Sequence, residues 1–104
     1  LGLDPEATSR RHPGLVHLSV LPFGATGPKA GWRAHEVNLI HASGEGFLLP
    51  NGLSTELFPD RPPLKIWGHF TAFQGGTAAV LGALSALWMR DAVGGQFVDI
   101  SVQD

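Results

Sequence analysis

Histidines are the side chains of this sequence best suited to acid–base chemistry, and there are five of them. His35 stands directly before Glu36 in the stretch "AHEVN", where the carboxylate could orient the imidazole as a general base. His69 precedes "FTAFQGG" and could serve as a second acid or base, or could cap or pack against a helix that starts there. An adjacent His–Glu pair is also common on protein surfaces, so both interpretations remain open.

Metal chemistry and thiol chemistry are not expected. The histidines lack the short, regular spacing of zinc ligands, and the sequence contains no cysteine. We therefore predict that no metal is bound and that no residue acts as a catalytic thiol. The absence of cysteine also fits a reducing compartment.

Composition predicts one small domain with a hydrophobic core. The chain has 104 residues, of which 43% are hydrophobic, and a formal net charge of −2. Its Lys and Arg residues form no basic stripe, so nucleic acid is not expected as a partner. The apolar run from Thr77 to Met89 is shorter than the roughly 20 residues that span a bilayer, and no signal segment is evident. We expect a cytoplasmic protein without a membrane partner, of which this chain is an internal piece.

The order of predicted elements indicates an α/β fold. Asp4, Pro5 and Glu6 have the pattern of a helix start, and that helix should run to about Arg11. Alternating apolar residues predict strands over 15–21 and 97–102. Between them lie a Gly- and Pro-rich irregular stretch over 25–67, with one short helix near 35–43, and a long helix over 71–92.

The long helix carries two further expectations. Thr71 and Gln74 have the spacing of a capping box, which predicts Thr71 as the N-cap. The helix is apolar on all sides, so we expect it to be buried on most of them. Gly75 and Gly76 favour close backbone packing over a phosphate-binding loop, because no G-x-G-x-x-G pattern is present.

Three segments together resemble the family III CoA-transferases, a group that also contains the α-methylacyl-CoA racemases. They are "LVHLSVLPFGATGPKAGWRAHEVN", the glycine-interrupted apolar helix after "GH", and "GGQFVDISVQD". The resemblance implies a fragment of a Rossmann-like fold, with residues 1–24 ending the Rossmann-like half and residues 25–67 forming an irregular linker. It also implies acyl-CoA as substrate, coenzyme A as a substrate rather than a bound cofactor, and an interlocked homodimer of the longer protein.

The resemblance also assigns roles to individual positions. Family transferases use an aspartate four residues before a glycine at the start of the long helix, and aligning that glycine with Gly76 places Ala72 at the aspartate position. The nucleophile is therefore missing, and we expect this chain alone to be inactive. In racemases a histidine within "GHDxN" removes the α-proton, and His35 with Glu36 matches that pattern.

Coenzyme A binding is expected at a different set of residues. Arg33 matches a basic position that contacts coenzyme A in some transferases. The turn at Phe23 and Gly24 follows the first strand, and ligands of α/β sheets bind beyond the carboxyl ends of strands. We therefore expect Arg33, Phe23 and Gly24 to lie near the helix start, in a cleft that Ala72 shares with His35.

Three functions follow from these observations. The leading one is transfer of coenzyme A between carboxylic acids by a family III transferase. The first alternative is an α-methylacyl-CoA racemase-type epimerase that uses His35. The second alternative is a non-catalytic CoA-ester-binding or structural relative that lacks the nucleophilic aspartate.

Overall fold

A computed structural model describes residues 3–103 and contains five helical segments and two strands. The α-helices are α1 (Pro5–Arg11), α2 (Glu36–Ala42), α3 (Leu53–Leu57) and α4 (Phe70–Val93), and a 3₁₀ turn spans Glu45–Leu48. The strands are β1 (His17–Leu21) and β2 (Phe97–Ser101). The mixture of helices and strands confirms the α/β prediction. The predicted long helix and second strand are each found within one residue of the expected bounds.

The start of α1 has the predicted cap. The Asp4 carboxylate accepts hydrogen bonds from the backbone N–H groups of Glu6, at 2.9 Å, and Ala7, at 3.2 Å. Pro5 occupies the first turn, where its missing N–H leaves no donor unsatisfied. This local arrangement follows from residues that are adjacent in sequence.

The two strands pair in parallel, so that the segments flanking them meet at one edge of the sheet. His17 lies opposite Phe97, and Leu21 lies opposite Ser101. Asp99 of β2 accepts a hydrogen bond from the Ala25 N–H at 2.7 Å, in the turn that follows β1. Gly24 permits this turn because its φ of 75° lies in the left-handed region. The "PFGATG" and "VDIS" segments therefore form one local structure.

Glycines set the distance between α4 and the sheet. A Cβ built on Gly75 would lie 2.9 Å from a methyl carbon of Val102, and a Cβ built on Gly82 would lie 2.8 Å from one of Val98. Real Cβ atoms essentially never approach so closely, so these positions need glycine for the helix to pack where it does. Gly75 therefore has the packing role predicted for it, whereas a Cβ on Gly76 would meet nothing within 4 Å.

The prediction that α4 is buried on most sides is wrong for this chain. Its buried residues are Gly75, Ala79 and Ala86, which share one face, whereas Trp88 on the other side is 87% exposed. Within residues 3–103, β1, β2 and α2 supply its main packing contacts. The radius of gyration of 17.4 Å exceeds the roughly 13 Å of a compact domain of this length. The small core includes Leu39, Ile40 and the buried alanines of α4.

By length and composition alone, α4 could cross a membrane: its 24 residues include an 18-residue window with mean hydropathy 1.3. It is longer than the apolar run recognised in the sequence because Phe70–Gly76 and Arg90–Val93 continue the helix. The close packing of Gly75 and Gly82 on β2 and the residue after it is the contact of a core helix with a sheet.

Candidate functional site

The candidate site lies where the start of α2 meets the start of α4. Glu36, the first residue of α2, accepts a hydrogen bond through Oε1 from the backbone N–H of Thr71, at 2.9 Å. The first N–H groups of a helix have no partner within the helix, and the positive end of its dipole favours a carboxylate. Glu36 thus supplies a hydrogen-bond acceptor for the first turn of α4 from a position 35 residues before Thr71.

This contact explains why the predicted Thr71 cap is wrong. The helix begins one residue earlier, at Phe70, with His69 as the N-cap residue, and no side-chain hydrogen bond caps it there. Thr71 therefore lies inside the first turn, where its N–H is one of the unpaired donors. The Glu36 carboxylate, from another helix, accepts from the Thr71 N–H, which the capping box would have paired with the Gln74 side chain.

Lys65 is the charged partner of Glu36. Its Nζ lies 2.9 Å from Glu36 Oε2 and also donates to the Gly68 carbonyl at 2.6 Å. The hydrogen bond from Lys65 lowers the pKa of the Glu36 carboxyl below its ordinary value, and the Thr71 N–H adds to this effect against the opposing cost of burial. Glu36 is therefore ionised at neutral pH, with its side chain only 14% exposed.

His69 flanks the same carboxylate on the solvent side. Its Nδ1 lies 3.9 Å from Glu36 Oε2, and its side chain is 85% exposed. The two groups form an ion pair only when the imidazole is protonated. The structure thus places two of the predicted acid–base residues, Glu36 and His69, close together at the start of α4.

A cleft of about 380 Å³ opens beside this cluster. We call it the helix-start cleft, and its lining consists of Val20, Leu21, Pro22, Glu36, Leu39, His69, Thr71, Ala72, Gly76 and Val102. Ala72 and Gly76 are one helical turn apart, so they lie on the same face of α4. Ala72 thus faces a cleft, and the acidic side chain in that cleft comes from Glu36.

His35 has a different place from the one predicted. It is the N-cap residue of α2, its backbone N–H donates to the Asn38 side-chain oxygen at 2.9 Å, and it is exposed. It does not line the helix-start cleft, so the expected cleft shared by His35 and Ala72 is not formed. The reason is the helix itself: adjacent residues at a helix start project in different directions, and Glu36 points towards α4.

The residues expected to contact coenzyme A lie further along the sheet edge. Phe23 and Gly24 line a second cavity, of about 360 Å³, with Ala78, Asp99 and Ser101. The Phe23 ring packs edge-on against Trp32 at a centroid distance of 6.0 Å, next to Arg33, which is exposed. Their role in binding coenzyme A stays a prediction. Within residues 3–103, no group of three or more His, Asp or Glu side chains could hold a metal ion.

Sequence reasoning missed Lys65. It lies in a loop rich in proline, 29 residues after Glu36, and no motif spacing links the two. A cation four residues before the histidine of "GH" was the available signal, but a surface lysine has the same appearance in a sequence.

The chain belongs to CoA-transferase family III, whose sequence model matches residues 1–104. This confirms the resemblance drawn from the two strand motifs and the long helix. The family consists of enzymes, since the curated relatives are named as CoA-transferases.

Two of these relatives cover nearly the whole chain. An acetyl-CoA:oxalate CoA-transferase of Acetobacter aceti is 32% identical over 106 residues, which cover 100% of this chain and 25% of the relative. A succinyl-CoA–D-citramalate CoA-transferase of Chloroflexus aurantiacus is 37% identical over 107 residues, covering 99% of this chain and 24% of the relative. The chain thus spans about a quarter of the length of the curated relatives it matches.

A solved structure has the same fold. The crystal structure of a CAIB/BAIF family protein from Brucella suis superposes with a TM-score of 0.83 and is 32% identical in sequence. The match covers 99% of this chain and 26% of the Brucella chain. The arrangement of β1, α4 and β2 is therefore that of a segment of a family III CoA-transferase fold.

Proposed function

We propose that the protein containing this chain transfers coenzyme A from an acyl-CoA thioester to a second carboxylic acid. The observation that carries the proposal is the helix-start cleft, which lies beyond the carboxyl end of β1, where α/β folds bind ligands. Family membership along all 104 residues supplies the reaction class. Coenzyme A enters as a substrate.

The cleft suits a thioester better than a charged metabolite alone. Its walls include the apolar side chains of Val20, Leu21 and Leu39, and its ionisable groups are Glu36 and His69, which lie 3.9 Å apart. Apolar walls exclude water from a reacting acyl group, and a few convergent polar groups orient it. The second cavity, at Phe23 and Gly24, lies on the same sheet edge and is proposed to hold part of coenzyme A.

A non-catalytic CoA-ester-binding protein is the competing function, and Ala72 is the observation in its favour. A methyl group at this position of α4 cannot attack a thioester. The two functions differ in a simple measurement, because a binding protein forms a complex with acyl-CoA and releases no new CoA ester.

The test uses the full-length protein with the donors and acceptors named for the relatives. Acetyl-CoA and succinyl-CoA are each incubated with oxalate or citramalate, and new CoA esters are followed by chromatography. Formation of a new CoA ester supports the transferase. Binding without turnover, together with activity gained by Ala72→Asp, supports the non-catalytic relative.

The same samples run in D₂O test the epimerase alternative. Deuterium entering the α-carbon of the acyl group without CoA transfer would support proton abstraction and contradict the transferase. We also propose that the full-length protein is a cytoplasmic homodimer in which the exposed apolar side of α4 is covered. Light scattering after size exclusion tests the oligomeric state, and cell fractionation tests the location.

A further inference from the structure

We propose that Glu36 is the carboxylate that receives the acyl group during CoA transfer, in place of an acid on α4 itself. This inference rests on the transferase function proposed above. The first turn of α4 contains no acidic residue, yet the Thr71 N–H, which has no acceptor within the helix, donates to the Glu36 carboxylate. That carboxylate lines the same cleft as Ala72.

The surroundings of Glu36 fix the carboxylate while leaving it free to react. Thr71 takes one hydrogen-bonding site of Oε1, and Lys65 takes one of Oε2. A carboxylate has about four such sites, so lone pairs remain on both oxygens. The group is thereby oriented by two contacts from different elements, as a covalent nucleophile requires.

Small residues of α4 leave room in front of the carboxylate. Ala72 presents one methyl group to the cleft, and a Cβ at Gly76 would meet nothing within 4 Å. A longer side chain at position 72 would occupy the space that a thioester needs to approach Glu36. The alanine and the glutamate thus complement each other sterically.

The reaction balances without any further reagent. A Glu36 oxygen attacks the thioester carbonyl, the C–S bond breaks, and CoA leaves as a thiolate while a mixed anhydride forms. The thiolate attacks the Glu36 carbonyl carbon of the anhydride, which releases the donor carboxylate and leaves Glu36 as a CoA thioester. The acceptor carboxylate attacks this thioester, forming a second anhydride and freeing the thiolate again. Attack of the thiolate on the acceptor's carbonyl produces the new CoA ester and restores the Glu36 carboxylate.

Lys65 suits the charge that moves during these steps. When Glu36 is acylated, the ammonium loses its ion partner, and the negative charge has passed to the departing thiolate. A cation 2.9 Å from the original oxygen lies close to that charge. Lys65 is therefore a positioning residue that also favours departure of the thiolate.

A purely structural tether between α2 and α4 would use the same contacts, so the test must detect the covalent step. Full-length wild type is incubated with the donor that it turns over and is quenched with borohydride, which reduces an enzyme thioester to an alcohol. A parallel sample is quenched with hydroxylamine, which converts anhydrides and thioesters to hydroxamates. Peptide mass spectrometry locates the modified carboxyl. Modification of Glu36 is expected, and turnover with a different modified residue, or with none, would overturn the inference.

Two variants add an independent measurement. E36Q keeps the size of the side chain but cannot form the anhydride, so kcat should fall about 10³-fold or more while acyl-CoA still binds. E56Q, in which an exposed glutamate of α3 is changed, is the matched control and should keep wild-type kcat. Undiminished kcat in E36Q would contradict the inference. If E36Q does not fold, the wild-type modification experiment decides alone.

Failure of this inference differs from failure of the proposed function. Wild type that transfers CoA without a Glu36 adduct leaves the transferase function standing and removes only the role of Glu36. Wild type that transfers no CoA to any acceptor overturns both.

Discussion

Two adjacent glycines of α4 should respond in opposite ways to the same substitution. Gly75 faces the sheet, and Gly76 faces open space in the helix-start cleft. Replacing either by alanine removes the helix penalty of glycine, which favours the folded state by about 1 kcal/mol. For Gly76→Ala that gain is the whole expected effect.

For Gly75→Ala the gain is outweighed by overpacking. The new Cβ would lie 2.9 and 3.6 Å from the two Val102 methyl carbons and 3.6 Å from one of Val20. Because both Val102 methyl groups and a Val20 methyl group surround the new Cβ, either these side chains or the helix must shift. Overpacking of this kind costs about 1–3 kcal/mol. The free energies of unfolding of the two variants should therefore differ by about 1–3 kcal/mol, with Gly75→Ala the less stable.

The assay is the thermal unfolding midpoint of the full-length protein with each single substitution. We expect the midpoint of Gly76→Ala to be equal to or higher than that of wild type. The midpoint of Gly75→Ala should be lower than that of Gly76→Ala by about 2 °C or more. Gly82→Ala should resemble Gly75→Ala, because its Cβ would lie 2.8 Å from a Val98 methyl carbon. Equal midpoints for the two neighbouring variants would refute the helix orientation on which the helix-start cleft depends.

Three further predictions concern the charged contacts around the sheet edge. Lys65→Met removes the main cause of the lowered Glu36 pKa, so the acidic limb of a kcat–pH profile should move to higher pH. The remote substitution Arg10→Met is the control and should leave the limb in place. An unmoved limb in Lys65→Met would contradict the role of Glu36 as the reacting carboxylate. The Glu36 contacts stabilise the ionised carboxylate, so they contribute their whole stabilisation above pH 4.5, the ordinary pKa. The difference in stability between wild type and Glu36→Gln should therefore shrink as the pH falls through the lowered pKa of the folded state. Thermal unfolding midpoints across that pH range measure the difference. A difference that grows on acidification would show that the sign is wrong. Asp99→Ala removes the carboxylate that accepts from the Ala25 N–H at 2.7 Å. It should lower the free energy of unfolding by about 1–2 kcal/mol and weaken acyl-CoA binding measured by calorimetry. Asp91→Ala, which changes an exposed residue near the end of α4, is the control and should have neither effect.

Local sequence patterns were sufficient where the interacting residues are neighbours in the chain. The Asp4 cap, the alternation in β1 and β2, and the helical run of α4 all depend on residues within one or two turns of each other. Comparison with a family pattern also predicts where a catalytic acid would be missing, because counting back four residues from Gly76 reaches Ala72 regardless of how the chain folds.

Contacts between distant segments needed the folded chain. The sequence contains a capping pattern at Thr71, but the Thr71 N–H donates instead to the carboxylate of Glu36, 35 residues earlier in the chain. Of two adjacent glycines, only the helix orientation decides that Gly75 packs on the sheet and Gly76 lines the cleft.

The apolar composition of α4 predicted burial but could not say what would cover it. Hydrophobicity is a property of the residues, whereas burial needs a partner surface, and two strands with one short helix cover a single face of α4. The sequence therefore determined which elements form, and by resemblance to the family it predicted that a catalytic acid is absent from α4. Tertiary structure alone brought Glu36 and Lys65 to the start of that helix, because their proximity depends on how α2 and the proline-rich loop pack and not on any spacing along the chain.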